Sequence, residues 1–228
     1  MPDETPYNPL DYDNLGESIA RAILDRDAAP LRGLSRFEGA GIYALYYTGL
    51  TQPFGPYEPL AALNRNGQFA KPIYVGKATN AATRTGILVR GARTTALYER
   101  LNNHRTSVDR ARNLDLDDFY YRRLVLEDAF IGLGEAQLIT TFQPLWNRYV
   151  WGFGSNAAGG GREQGKRSRW DTVHPGRPGA EKLRDNDLSV DQIIDIIQQA
   201  LANGFGDTSI VETAGEATSD EEQGSSLS

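Results

Sequence analysis

GIYALYYTG, residues 41–49, alternates aromatic and branched side chains and ends on glycine, the signature of a strand rather than a helix. In an extended chain Tyr43, Leu45 and Tyr47 share one face. Working outward, PIYVGK at 72–77 reads as a second strand, joined to the first by a 22-residue polar connection, 50–71, which is long for a hairpin. DFYYRRLVL, 118–126, reads as a third strand. Helical patterns run from Thr94 to about Arg112 and from Asp128 to Phe142, the latter stopped by Pro144. The order is ββαβα. It predicts an α+β fold with a small central antiparallel or mixed sheet flanked by helices and extended by helices at both ends.

Residues 1–36 form the N-terminal extension, with Asn14 and Glu17 expected as a capping pair ahead of Leu15, Ile19, Ala20, Ile23 and Leu24 at helical spacing. Residues 37–150 make the core, with 50–71 as an insertion. Residues 151–187 are Gly-rich and basic and read as a flexible arm. Ser189 with Gln192 caps an Ile-rich helix within 188–204, and the acidic stretch 205–228 is expected to be a disordered tail.

A chain of 228 residues with 39% apolar content can bury one catalytic core. No stretch approaches the roughly 20 apolar residues needed to span a bilayer, and the first ten residues carry no secretory pattern, so a cytoplasmic protein with no membrane partner is expected. Cysteine is absent and histidine occurs twice, which leaves carboxylates as the candidate metal ligands and a hard ion such as magnesium as the candidate metal. The net charge of -6 argues against a nucleic-acid partner only on average. Between Ala61 and Arg112 ten basic residues face two acidic ones, while acid dominates both ends. The middle of the chain is therefore suited to grip a phosphate backbone.

The tripeptides Gly41-Ile42-Tyr43 and Tyr74-Val75-Gly76, followed by Lys77, Arg100, Glu135 and Asn147 in that order, resemble the GIY-YIG nuclease family. His104, one turn after Arg100, and the glycine-rich basic segment from Gly152 to Arg177 are similar to its type II restriction-enzyme branch. The long 50–71 insertion departs from the minimal family pattern. The resemblance implies a magnesium-dependent deoxyribonuclease, with manganese able to substitute, cutting both strands of double-stranded DNA at a short palindrome. It also implies a homodimer, and a cognate DNA methyltransferase as genetic rather than physical partner. Tyr43 is then the base for the attacking water, Tyr74 a phosphate or water ligand, and Lys77 the electrostatic partner. Which tyrosine is the base stays open.

The residue chemistry agrees. A tyrosine is a poor base at its ordinary pKa of about 10, so cations must stand close, and Lys77 and Arg100 are the candidates. Arg100 and His104 fall on or beside the apolar stripe Leu97, Leu101, Val108, aimed inward. A buried guanidinium needs a partner, and a scissile phosphate suits its fork. His104 then either bonds a tyrosine hydroxyl or shuttles its proton. Glu135 follows Gly132 and Gly134, which cost its helix on the order of 1 kcal/mol each and predict a close approach there, and it is the expected ligand of one metal ion. Asp115, Asp117 and Asp118 form a second acidic cluster, read either as a capped turn or as a competing metal site. Asn147 is expected to orient the site through hydrogen bonds.

In the basic segment Arg162, Lys166, Arg167, Arg169, Trp170 and Arg177 are expected to contact DNA, and arginine forks would read guanine edges at a GC-rich site. The apolar face of Val190, Ile193, Ile194, Ile197 and Leu201 packs either on its own chain or at a dimer interface. Two further readings compete: a homing or repair-type GIY-YIG nuclease, and a DNA-binding protein with an inert site.

Overall fold

The computed structural model describes residues 8, 10–80, 94–154 and 165–204. Arg162 and the acidic 205–228 tail lie outside them. The elements are helix α1 (Tyr12–Leu24), strands β1 (Ala29–Pro30) and β2 (Gly41–Tyr47), helix α2 (Glu58–Ala62) and strand β3 (Tyr74–Ala78). Helix α3 (Ala96–Arg110), strand β4 (Phe119–Val125) and helices α4 (Asp128–Phe142), α5 (Leu145–Arg148), α6 (Arg169–Val173) and α7 (Val190–Ala202) complete the order. The sheet runs β1-β4-β2-β3 and is antiparallel throughout, so the expected α+β class holds and the antiparallel alternative is the one adopted.

Strand β2 is buried along its whole length because it is covered on both faces. Tyr43, Leu45 and Tyr47 enter a core shared with Leu97 and Leu101 of α3, Trp146 of α5, Trp170 of α6 and Ile193 and Ile197 of α7. Ile42, Ala44 and Tyr46 enter a second core with Ala20 and Ile23 of α1 and Ile131 and Leu138 of α4. Seven residues of one strand thus divide the molecule, and a one-residue slip would exchange the two sets.

Helix α4 begins and ends where the sequence predicts, and Gly134 lets it lie close to the sheet: a Cβ there would stand 2.7 Å from Ile19 and 3.0 Å from Ile42. Gly132 meets nothing within 4 Å, so the expected close approach belongs to Gly134 alone. The apolar face of α7 packs on its own chain, with Ile193, Ile197 and Leu201 buried, and its Ser189–Gln192 capping box forms. Among the described residues no helix is long and apolar enough to cross a membrane.

Three expectations are corrected. Helix α1 starts at Tyr12 with Asp11 as its cap residue, a turn earlier than Asn14, and Leu15 N donates to Asp11 O at 2.9 Å to close that first turn. The 50–71 insertion is folded, placing Tyr57, Leu60 and Ala61 in the core. Its start is held by Asp118, whose buried carboxylate accepts from the backbone N–H groups of Leu50 (2.7 Å), Thr51 (2.6 Å) and Gln52 (2.8 Å). Asp115 caps the following turn by accepting from Asp117 N, so the acidic cluster is the capped turn.

The third correction concerns the arm. From 165 onward it is built into the body of the protein. Trp170 is fully buried, its ring 5.7 Å from Trp146 and 5.1 Å from Phe153. Arg169 is buried and donates to Tyr149 O at 3.0 Å. Arg177 is buried in a two-point ion pair with Asp171 (2.7 and 2.6 Å) and donates to the carbonyls of Phe153 and Gly152. Buried charge survives only when paired, and here carbonyls and a carboxylate supply the pairing that DNA was expected to give.

Candidate active site

Strand register sets the site. Tyr43 lies opposite Gly76, and Leu45 opposite Tyr74, so Tyr43, Tyr74 and Gly76 share the face covered by α3. Gly76 makes room for the pair: a Cβ there would stand 2.3 Å from the Tyr43 hydroxyl and 3.0 Å from the Tyr74 ring. On α3 the sequence places His104 one turn beyond Arg100, and both reach these tyrosines. The Tyr43 hydroxyl lies 2.5 Å from His104 Nε2, inside the protein, and the ring of Phe153 stacks on the imidazole at 4.5 Å between centroids.

Burial, helped by the positive charges of Arg100 and Arg177, holds His104 well below its ordinary 6.5. The imidazole is therefore neutral near pH 7, and its Nε2 can accept the Tyr43 proton. Burial also pushes the Tyr43 hydroxyl well above 10, with Tyr74 adding to the rise and the Arg100 guanidinium opposing it. Tyr74 is raised for the same first reason, opposed by Arg100 and reinforced by the negative charge of Glu135.

Arg100 joins the two hydroxyls electrostatically. One of its terminal nitrogens donates to Gly154 O at 2.5 Å, and its Nε is buried without an acceptor. An unmet guanidinium N–H in a closed site calls for an anion. Gly154 covers this corner closely, since a Cβ there would stand 2.2 Å from the Tyr74 hydroxyl. Phe153 and Gly154 were not among the expected catalytic residues. The GFG run at 152–154 was their only mark in the sequence.

Lys77 occupies a different place from the one expected. It lies opposite Ile42 in the register and so leaves the other face of β3, toward α4. Its ammonium bonds Glu135 at 2.7 Å, and among the described residues the cation acting on Tyr43 is Arg100. Glu135 is one-fifth exposed, and its charge still reaches Tyr74. Among the described residues no group of three or more metal-ligand side chains clusters, and Glu135 is the carboxylate that would hold a metal ion here. That donor set fits magnesium, which keeps several waters, and the ammonium marks the carboxylate as a seat for positive charge.

Asn147 is not among the tyrosines. Its side-chain amide accepts from Val75 N and donates to Val75 O, both at 2.8 Å, while Trp146 N donates to Ile73 O. It pairs with the outer edge of β3 as an added strand would, fixing the height of Tyr74 and Gly76. Of the expected DNA contacts, Lys166 and Arg167 remain at the surface, paired with Asp187 (2.6 Å) and Asp185 (3.1 Å). Arg169, Trp170 and Arg177 are framework.

Residues 35–201 match the family model described as the Eco29kI GIY-YIG domain. Comparison with curated proteins gives no match. The family match takes in both tyrosine strands, α3, Glu135, Asn147 and the 165–187 segment, and covers well over half of the sequence. The chain belongs to the GIY-YIG restriction endonuclease family and is a nuclease.

Proposed function

We propose that the protein is a type II restriction endonuclease that cuts both strands of double-stranded DNA at a short, palindromic, GC-rich site, acting as a cytoplasmic homodimer. The observation that carries the chemistry is the 2.5 Å Tyr43–His104 bond beside an arginine that keeps one buried N–H without an acceptor. A buried phenol is too weak an acid to stand as a free phenolate, so the base is the pair. The attacking water gives a proton to the Tyr43 oxygen as the phenol gives its own to His104 Nε2. The water oxygen bonds to phosphorus, and the bond to the 3′ oxygen, in line with it, breaks, its electron pair leaving with that oxygen, which takes a proton from solvent water.

Arg100 stabilises the charge that develops on the phosphoryl oxygens. A phosphate docked against Arg100 also offsets part of the positive field that holds His104 down, so substrate binding itself makes the imidazole a better base. Tyr74 is the phosphate or water ligand, and Asn147 positions the strand that carries it. Glu135 is the ligand of one magnesium ion, with manganese as substitute, and the bound ion supplies positive charge to the phosphoryl oxygens. Lys77 holds the carboxylate in its absence. A two-fold dimer suits a palindrome, and a cognate methyltransferase is the implied genetic partner.

Incubation with unmethylated plasmid and phage DNA plus magnesium, with EDTA controls and sequencing of the ends, tests this reading. Discrete fragments sharing one palindrome support it; smears or structure-selective cuts overturn it. Glu135→Ala is expected to lose magnesium-dependent cleavage while keeping DNA binding, and full activity in that variant would remove the metal assignment.

A further inference from the structure

A groove of about 290 Å³ opens beside the Tyr43–His104 pair, between α3 and the segments at 153–154 and 177–178. Its α3 wall carries Arg100, Asn103, Ser107 and Arg110, spaced so that they fall on one continuous helix face next to the buried stripe of Leu97, Leu101, His104 and Val108. The opposite wall is Phe153, Gly154, Arg177 and Pro178, and among the described residues no carboxylate lines it. This second wall is rigid. Arg177 is clamped by Asp171 and by two carbonyls, and Arg112 N donates to Pro175 O at 2.9 Å, tying the segment to the end of α3.

The groove is larger than one ion needs: its volume equals that of about ten waters. It is continuous with Arg100, whose Nε is a buried donor without an acceptor. Arg110 is exposed and makes no ion pair among the described residues. Along the helix Arg100 and Arg110 lie about 15 Å apart, and B-DNA advances about 3.4 Å per nucleotide along its axis, so the stripe can follow a strand for a few nucleotides.

We propose that this groove seats the phosphodiester next to the scissile one on the cleaved strand. Ser107 and Arg110 take its non-bridging oxygens, and Arg100, one turn before His104 on α3, stays with the scissile phosphate. The proposal rests on the nuclease reading and extends it to residues outside the Tyr43, Tyr74, Arg100, His104 set. Held at two consecutive phosphates, a strand has its sugar-phosphate path fixed over the catalytic pair. Alignment of the attacked bond then depends on Arg110 as a positioning residue.

The test uses the full chain and a fluorescent duplex of about 30 base pairs containing the cleavage site mapped from plasmid ends, with binding measured against salt in EDTA. Arg110→Ala is expected to lower the slope of log affinity against log salt by about 0.9 and to weaken binding about tenfold near 0.1 M salt. Arg112→Ala is the control: that guanidinium is 71% exposed, pairs with Glu181 and lies outside the groove. Replacing the neighbouring phosphate by a neutral methylphosphonate should weaken wild-type binding and leave Arg110→Ala unchanged. Equal slopes for the two arginine variants, or additive losses from methylphosphonate and Arg110→Ala, overturn the proposal. Ser107→Ala gives a milder second variant with the same expected non-additivity. Mapped cutting by the wild type with equal slopes overturns this proposal alone, whereas absence of any cutting breaks the nuclease reading and, with it, the proposal that rests on it.

Discussion

The chain has two histidines, both buried, and each places Nε2 against a tyrosine hydroxyl: His104 on Tyr43 at 2.5 Å, His174 on Tyr57 at 2.7 Å. They differ in what surrounds the pair. Around His174 the Tyr57 hydroxyl, both imidazole nitrogens and the Asn113 amide are answered. Trp146 Nε1 donates to the Tyr57 oxygen, Tyr57 donates to His174 Nε2, His174 Nδ1 donates to Asn113 Oδ1, and Asn113 Nδ2 donates to Val173 O. Phe54, Trp146 and Trp170 enclose the imidazole. His104 has the same tyrosine bond, but no partner is found for its Nδ1 among the described residues, and it borders an open groove next to Arg100. A closed hydrogen-bond chain holds a core together, and an open one can move a proton. In the mechanism proposed for the Tyr43–His104 pair, reactivity comes from the bonds left unmade.

Exchange of roles between the pairs would break this comparison. The largest expected effect is on turnover: His104→Ala should reduce cleavage by about 10²- to 10⁴-fold while DNA affinity changes little, measured as kcat on the mapped site. A large loss of affinity with kcat intact would turn His104 into a binding residue. Next comes His174→Ala, expected to cost about 2–4 kcal/mol of stability in denaturant unfolding, because it leaves a cavity and strands the Tyr57 hydroxyl. The folded variant should keep wild-type kcat.

Acid sharpens the same point. Burial holds His174 at about 3 in the folded protein, against 6.5 for a free imidazole. The folded state thus binds this proton less readily than the unfolded one. Its stabilising contribution is complete above pH 6.5 and falls by about 1.4 kcal/mol per unit as pH drops from there toward 3. His104 acts in the same direction. Unfolding free energies measured between pH 4 and 7 should therefore lose about one proton of slope in His174→Ala, and an unchanged slope would remove His174 as a source of acid lability. Asn113→Ala is the smallest change, about 1 kcal/mol of stability with kcat unaltered, since it opens only the far end of the chain.

What the sequence displayed was local. Helix α4 begins and ends as predicted because Pro144 stops it, and α7 because Ser189 and Gln192 sit three apart. The α3 stripe brought Arg100 and His104 inward, and both arrived at the tyrosines. What it concealed depends on partners distant in sequence. The 165–187 segment looks polar because Arg169 and Arg177 are charged, and only Tyr149 O, Asp171 and two carbonyls make them core residues. Lys77 was expected beside Tyr43, and a register that pairs it with Ile42 sends it to the other face. Asn147 follows a short proline-led turn, and nothing local shows that it bonds the backbone of β3, 72 residues away.

That last bond bears on how the protein meets copies of itself. An edge strand invites another chain to continue the ladder. On β3 the outward groups of Val75 are taken by Asn147, and Ile73 O by the backbone of Trp146. At the far side of the sheet β1 has two residues, one of them a proline with no N–H to give. Part of each margin is thus closed to strand addition: Asn147 stands where a neighbouring strand would bond Val75, and Pro30 has no N–H to give.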